Sequence, residues 1–472
     1  MHDPPCPLRP SASQDPERRS SARLSALHSR IRSLLSMHER RPEGSRASRV
    51  SSRFTSPFVP LSLSAEAVAE LETLTRTLVS RNVAAYERQL HRSDAVDPAR
   101  WKLMFRQGGL RSYAERSSRP TFGFGEAIGA AAGHLDRRAP VFTQSKTTSV
   151  PSIVVVGSVE GELDDTMYGL MCPTLDQMRV KTAYVKDGLV RGSVLATLVA
   201  PTVEDPFTSV AVKWMEMGQP AHARAVVKNR DYVYLEATGV EYLRNGERVG
   251  YQLVHSIQFP TTPERASTSR GNMSICAFYR QKSSNETDVY VKGFLSPSTG
   301  LENAVVTRSV ARALLSVARN VHCCQMKKIE WALRQRHRSA PHESHAPAAS
   351  SPGGPCVTCG RRRSAVSSAL TAAASRMTSG KHFRSRRRCE LCERYVCPAC
   401  RSLHKLTLVL PEHRLVQQQA ALCGACLEAA LAVKAVDVAR DELKRRRSSL
   451  YLWRETSATW TGSNPAILNE RQ

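Results

Sequence analysis

Apolar positions Val68, Leu71, Leu74 and Leu78, with Ala85 and Tyr86 beyond them, recur at three- and four-residue steps and predict an amphipathic helix over 65–92. Upstream, residues 1–60 are rich in Ser, Arg and Pro and hold only the short apolar stretch Leu24, Ile31, Leu34, Leu35, so a disordered basic segment is expected. Between Trp101 and Phe294 the pattern shortens to β-branched and aromatic runs: Ile153 to Val156, Val194 to Val199, Ser209 to Trp214, Tyr232 to Glu236, Tyr251 to Phe259, Ser274 to Tyr279 and Val289 to Phe294. These predict an antiparallel meander. Asn245-Gly246 between two of the runs predicts a type I′ hairpin, because both central residues of that turn need φ > 0. The Leu/Met-rich, acidic stretch 160–182 predicts one or two short helices lying against the sheet. After Pro297-Ser298-Thr299-Gly300, the positions Val306, Val310, Leu314, Val317, Val321, Cys324 and Trp331 step by three, four or seven. They predict a single long helix whose apolar stripe needs a sheet to cover it. The fold class expected is α+β.

Composition adds limits. With 472 residues, 41% hydrophobic and 23% charged, the chain has enough apolar content for at least one sizeable core. The best candidate for a bilayer span, Ala420 to Ala439, carries Glu428, Lys434 and Asp437, so no transmembrane helix is expected. The start Met-His-Asp-Pro-Pro-Cys-Pro has no apolar stretch, so a secretory signal is not expected and a reducing, cytoplasmic compartment is the default. Net charge is +26, and residues 361–401 hold 11 basic residues against 2 acidic ones. That concentrated field implies an anionic partner, with a membrane surface, a phosphoinositide headgroup and nucleic acid all open on charge alone.

Eight of the 13 Cys form four C-x-x-C pairs: Cys356/Cys359, Cys389/Cys392, Cys397/Cys400 and Cys423/Cys426. Each pair chelates one soft tetrahedral ion through two thiolates, so four pairs complete two Cys₄ sites, and two structural zinc ions are expected. Four thiolates leave no open position for water or substrate. Only Glu393 to Val396 separate pairs two and three. Interleaved binding ties this segment into one module: Cys356, Cys359, Cys397 and Cys400 on one ion, Cys389, Cys392, Cys423 and Cys426 on the other. The enclosed loops are Gly360 to Arg388 and Arg401 to Leu422.

This segment resembles the FYVE-type zinc finger, whose C-x2-C-x4-C-x2-C centre is reproduced by Cys389-Glu-Leu-Cys392-Glu-Arg-Tyr-Val-Cys397-Pro-Ala-Cys400 after the basic run Arg386-Arg387-Arg388. The resemblance implies that Arg386, Arg387 and Arg388 contact an anionic headgroup, in that family phosphatidylinositol 3-phosphate, through forked hydrogen bonds. It further implies that apolar residues of the preceding loop, here Leu370, Met377 and Phe383, enter the bilayer; the localisation expected is cytoplasmic and peripheral on endosomal membranes. Arg387 and Arg388 stand where the family carries paired His, so the pH switch His supplies is not expected. RING and PHD fingers each use a His among their ligands, whereas all eight here are Cys.

The order helix, meander with helical insert and long C-terminal helix resembles a START-like (StAR-related lipid transfer) domain, a helix-grip fold in which a curved sheet holds the last helix. Gly161-Glu-Leu-Asp-Asp-Thr-Met-Tyr-Gly169, Met178-Arg179, Glu204-Asp-Pro-Phe207, Val212-Lys-Trp214, Arg230-Asp-Tyr-Val-Tyr-Leu-Glu236, Arg270-Gly-Asn-Met273 and Gln325-Met-Lys-Lys328 strengthen the resemblance. Together they are similar to the oomycete tandem family in which a START-like domain precedes a FYVE-type finger. The organisation expected is a disordered segment 1–60, a START-like domain 61–338, a linker 339–355, a zinc finger 356–430 with a long first loop, and a C-terminal helix and tail 431–472. The resemblance implies a cavity between sheet and last helix that holds a lipid. Val310, Leu314, Val317 and Val321 either line it or fill a core, and periodicity does not separate these. Arg179, Glu236 and His255 are candidate polar groups there, more often paired or exposed. Cys172, Cys276, Cys323 and Cys324 read as small buried side chains.

No Walker loop, G-x-S-x-G or H-E-x-x-H is present, so no enzyme is expected. The expected function is a peripheral membrane adaptor or lipid-binding protein. Alternatives are a protein-interaction scaffold or a RING-like ubiquitin ligase, and a nucleic-acid binder using 361–401. Against the last, Phe383 and Tyr395 are the aromatic residues of that stretch and make a poor stacking platform.

Overall fold

In a computed structural model of the chain, the described residues are 56–91, 96–116, 143–144, 152–218, 228–296, 303–339, 354–362, 388–410 and 413–445. Helix α1 (Ala65–Leu90) opens with Ser64 as N-cap, its hydroxyl accepting from the Ala67 N–H, and with Glu66 in its first turn. The strands that follow are β1 (Trp101–Gln107), β2 (Leu110–Glu115), β3 (Thr143–Gln144), β4 (Ile153–Glu160), β5 (Leu189–Val199), β6 (Ser209–Met217), β7 (Arg230–Tyr242), β8 (Arg248–Gln258), β9 (Ser269–Arg270), β10 (Asn272–Ser283) and β11 (Glu286–Ser296). They form one sheet in the order β1-β2-β4-β11-β10-β8-β7-β6-β5, with β3 on β8 and a short parallel β9 on β7. Helices α2 (Leu163–Leu170) and α3 (Leu175–Val185) are the helical insert. The seven expected runs fall on strands, with Phe259 alone one residue past the end of β8. β1 and β2 had no separate signal.

Alternation places opposite residues on the two faces. Val212, Trp214, Val233, Leu235, Leu253 and Phe278 form a core with Leu71, Leu78 and Tyr86 of α1, where Tyr86 stacks on Phe278 at 4.7 Å. The other face carries Ile153, Val155, Ala277, Tyr279, Val289 and Val291 against Leu163, Met167 and Leu170 of α2 and Val310, Ala311, Leu314 and Leu315 of the C-terminal helix. Val310 and Leu314 therefore fill a core.

Two expectations are corrected. The helix after residue 300 is not one α-helix but α4 (Asn303–Leu314), a 3₁₀ segment Leu315–Arg319 and α5 (Asn320–Ser339). Winding at three residues per turn instead of 3.6 rotates the apolar stripe by about 100° over five residues. The stripe accordingly faces the sheet in α4 and faces α2 and the C-terminal module in α5. At the crossing with α2, a Cβ on Gly169 would stand 1.9 Å from the Asn320 carbonyl oxygen, so only glycine permits this approach.

The β7–β8 turn is not type I′. Gly246 (φ +81°) is in the left-handed region while Asn245 is not. The Gly246 N–H donates to the Leu243 carbonyl at 2.8 Å, and the Asn245 side chain accepts from Glu247 N–H at 3.0 Å. This is a type I turn closed by a glycine bulge, in which one residue rather than two needs positive φ.

Candidate functional site: two thiol clusters and the concave sheet face

The C-terminal module is short of secondary structure: a hairpin β12 (Ser402–Leu410) and β13 (Arg414–Leu422), helix α6 (Gly424–Ala432), and a helical segment 435–445. The chain thus runs here in two helical pieces, broken at Val433, whose backbone is extended. Each of the first two C-x-x-C pairs sits in a tight knuckle. Gly360 N–H donates to the Cys356 carbonyl at 2.9 Å and Glu393 N–H to that of Cys389 at 2.8 Å, with Gly360 (φ +71°) and Glu393 (φ +57°) both left-handed. Cys423 is the N-cap of α6, which places its pair at the positive end of that helix.

The structure brings together Cys356, Cys359, Cys397 and Cys400, and separately Cys389, Cys392, Cys423 and Cys426, with the sulfurs of each set within 4.8 Å of one another. The sulfurs of Cys359 and Cys397 are 3.8 Å apart and those of Cys392 and Cys423 are 4.0 Å apart. Disulfides would need about 2.0 Å. Four sulfurs at about 2.3 Å from a tetrahedral zinc stand about 3.8 Å from each other, so both sets fit the ion. Electrostatics point the same way. Burial acts against the Cys356 thiolate, but backbone N–H groups of Cys397, Cys359 and Thr358 outweigh it and bring the thiol down to about 6. Hydrogen bonds with Cys397 and Cys359 meanwhile push Cys400 up to about 12. Crowded thiols ionise together only around a cation.

Arg388 is exposed, pairs with Tyr395 in an isolated bridge, and donates to the Glu393 carbonyl at 3.2 Å. Arg386, Arg387, Leu370, Met377 and Phe383 lie outside the described residues.

Both thiol sets share a core with the body. Cys356, Cys389, Val396, Leu406, Ala420, Leu422 and Cys423 cluster with Tyr184 and Val185 of α3 and with Cys323, Met326, Ile329 and Leu333 of α5. Polar contacts rim this core. Thr407 N–H donates to the Tyr184 hydroxyl at 2.6 Å, Arg179 donates to the His413 carbonyl at 2.5 Å, and Lys328 donates to the Leu431 carbonyl at 3.1 Å. Arg336 donates to the Glu390 carbonyl and forms an ion pair with Glu393. Beside the junction, a cleft of about 530 Å³ is lined by Tyr168, Val180, Tyr184, Met326, Glu330 and His413 among others. Arg179 is thus a clamp between α3 and the hairpin, not a cavity group.

On the concave face, Glu236 and Lys213 form a buried ion pair. Lys213 also donates to the Cys172 carbonyl at 2.8 Å, and Gln252 donates to Glu236 at 2.8 Å. Burial disfavours the Glu236 charge, but Lys213 and Lys181 outweigh it and hold the carboxyl below its ordinary range. Lys181 was not singled out in sequence, and Lys213 only within Val212-Lys-Trp214 with no role assigned, because lysine ordinarily signals a surface. Past this pair, Tyr232, Tyr234 and Met273 are buried and Met215, Met217, Val254, Ile275 and Leu295 are half-buried, forming an apolar floor. His255 lies on the opposite face, bonded to the Ser274 hydroxyl at 3.0 Å, and burial lowers it to about 4. Cys172, Cys276, Cys323 and Cys324 are all buried.

No protein-family profile and no curated protein matches the chain. Among solved structures, the chain is similar to human STARD10 (15% identity over 54% of this chain and 83% of that one, TM-score 0.33). It is also similar to human StAR-related lipid transfer protein 5 (14%, 52% and 95%, TM-score 0.35). A third is a fragment of the STAR-related lipid transfer protein from Xanthomonas axonopodis (14%, 48% and 98%, TM-score 0.31). The antiparallel sheet order, the outer α1 and the C-terminal helix on the concave face are the helix-grip arrangement expected of a START-like body.

Proposed function

We propose that the chain is a non-enzymatic lipid-binding protein of the membrane periphery, whose START-like body takes an apolar ligand on the concave sheet face and whose zinc module addresses an anionic phosphoinositide surface. The observation that carries this reading is the floor of Met215, Met217, Tyr234, Val254, Ile275 and Leu295 beside the buried Lys213–Glu236 pair. An apolar surface with a few fixed polar groups at one end matches an amphipathic molecule. In the module, zinc held by the two Cys₄ sets fixes the strand that presents Arg388, with Arg386 and Arg387 beside it in sequence. Guanidinium groups there would fork to phosphate on the cytoplasmic face of endosomal membranes.

The test is direct. Organic extraction of the purified, zinc-replete chain should release a lipid seen by mass spectrometry, and Ile275→Trp together with Leu295→Trp, which fill the floor, should abolish its recovery while leaving the fold by circular dichroism. A chain that neither co-purifies with lipid nor extracts it from vesicles would overturn the reading.

A further inference from the structure

Positive charge is not confined to the basic segment 361–401 of the sequence. Strand β1, Trp-Lys-Leu-Met-Phe-Arg-Gln, is one edge of the sheet among the described residues and pairs on one side with β2. Lys102 and Arg106 of β1, Arg111 of β2, and Arg308 and Arg312 of α4 are all exposed. No carboxylate among the described residues pairs with any of them; the neighbouring Glu115 is engaged by Arg100 at 2.8 Å. Arg308 and Arg312 both stand over the Phe105 ring, at 5.2 and 5.0 Å. Arg106 and Arg111 are direct cross-strand partners. Like charges placed opposite each other destabilise a sheet, a cost that a bound anionic surface relieves.

The same strand is apolar as well as cationic. Leu103 is 39% exposed and shares its face of the strand with half-buried Trp101, while Phe105, past a register shift, packs on the other face. We propose that this β1–β2–α4 edge is a second docking surface, and that its partner is an anionic lipid bilayer. The inference rests on the reading of the chain as a membrane-associated protein, and gives the body its own contact, separate from the zinc module.

Two observations favour a bilayer over other anionic partners. A β-bulge at Leu103/Phe105 and the row of charges oppose addition of a further strand, which disfavours an extended acidic peptide. Tryptophan, leucine and arginine side by side is an interfacial composition, in which apolar side chains enter the headgroup region while cations hold phosphate.

The experiment is sedimentation of the full, zinc-replete chain with phosphatidylcholine vesicles, with and without phosphatidylserine. Three proteins are compared: the parent chain, R106Q/R111Q/R312Q, and R386A/R387A/R388A. Each lost charge should lower partition about fivefold, so the edge variant should bind phosphatidylserine vesicles roughly a hundredfold more weakly. Its melting midpoint and zinc content should be retained, and R106K/R111K/R312K should bind as the parent does. Unchanged partition of the edge variant would overturn the inference, as would loss of duplex DNA or RNA binding with vesicle binding intact. Absence of vesicle binding by the parent chain would also overturn it, while lipid recovered from the purified protein would leave the proposed function standing.

Discussion

Ile329 of α5 is 0% exposed and belongs to the cluster that includes Cys356, Cys389, Leu406 and Cys423 of the C-terminal module. Replacing it with Ala tests whether the body and the module unfold as one. The three carbons removed forfeit about 2.5 kcal/mol of transfer free energy. The cavity left between α5 and the hairpin brings the expected cost to about 3 kcal/mol. For a cooperative unit of this size that corresponds to a fall in melting midpoint of roughly 6 °C. Two probes read it: far-ultraviolet circular dichroism, dominated by the body, and zinc release to a colorimetric chelator, which follows the module. Both midpoints should fall together in Ile329→Ala. A body that melts earlier while zinc release stays at the parent temperature would refute the shared core, because the module would then be stable without the α5 face.

Cys392→Ser removes one thiol from the second of the two sets, and metal analysis should find one zinc per chain for this variant and two for the parent. Lys213→Met leaves Glu236 buried without its partner and should cost about 3 to 5 kcal/mol by urea denaturation, much of it recovered in Lys213→Met/Glu236→Gln. His255, held by burial at about 4, gives stability a defined pH dependence. Its folded value lies below the unfolded one, so no penalty exists above about pH 6.5, and stability falls as the pH drops through 6.5 toward 4, by up to about 3 kcal/mol. Burial also lowers His322 and His404, which act in the same direction. Thermal melts at neutral and mildly acidic pH should show the slope, and His255→Gln should flatten it; an unchanged slope in that variant would place the titration elsewhere.

What the sequence revealed followed from how much each pattern constrains. Strands β6, β7, β8 and β10 are largely buried and, like β4, β5 and β11, carry β-branched and aromatic runs, so all were legible. β1 and β2 were not, because a bulged edge strand with Lys102 and Arg106, followed at once by Arg111 of its short neighbour, reads as a charged loop. The thiol sets were legible because C-x-x-C spacing permits few arrangements. The stripe of Cys324 and Trp331 was visible too, but periodicity shows only that a face is apolar, not what covers it. Val310 and Leu314 meet the sheet, whereas Ile329 and Leu333 meet the module. Lys213 was missed for the opposite reason: its burial depends on Glu236 and the Cys172 carbonyl, contacts brought together only by the fold.

The small module also explains why it leans on the body. Apart from its cysteines, its buried contribution to the shared core is Val396, Leu406, Ala420 and Leu422, a set too small to hold a fold of this size in water. Metal held by the two thiol sets would supply one support, since binding to a site absent from the unfolded chain adds directly to folding free energy. The α5 face supplies the other, through Cys323, Met326, Ile329 and Leu333. The dependence runs both ways. Without ordered thiol knuckles, that face of α5 is uncovered, and the rim contacts of Arg179, Lys328 and Arg336 lose their acceptors on the hairpin, α6 and the second knuckle. A metal ion held by the thiol sets would therefore bear on the stability of a helix that carries none of its ligands, and that helix continues through Leu315–Arg319 into α4, which lies on the concave sheet face.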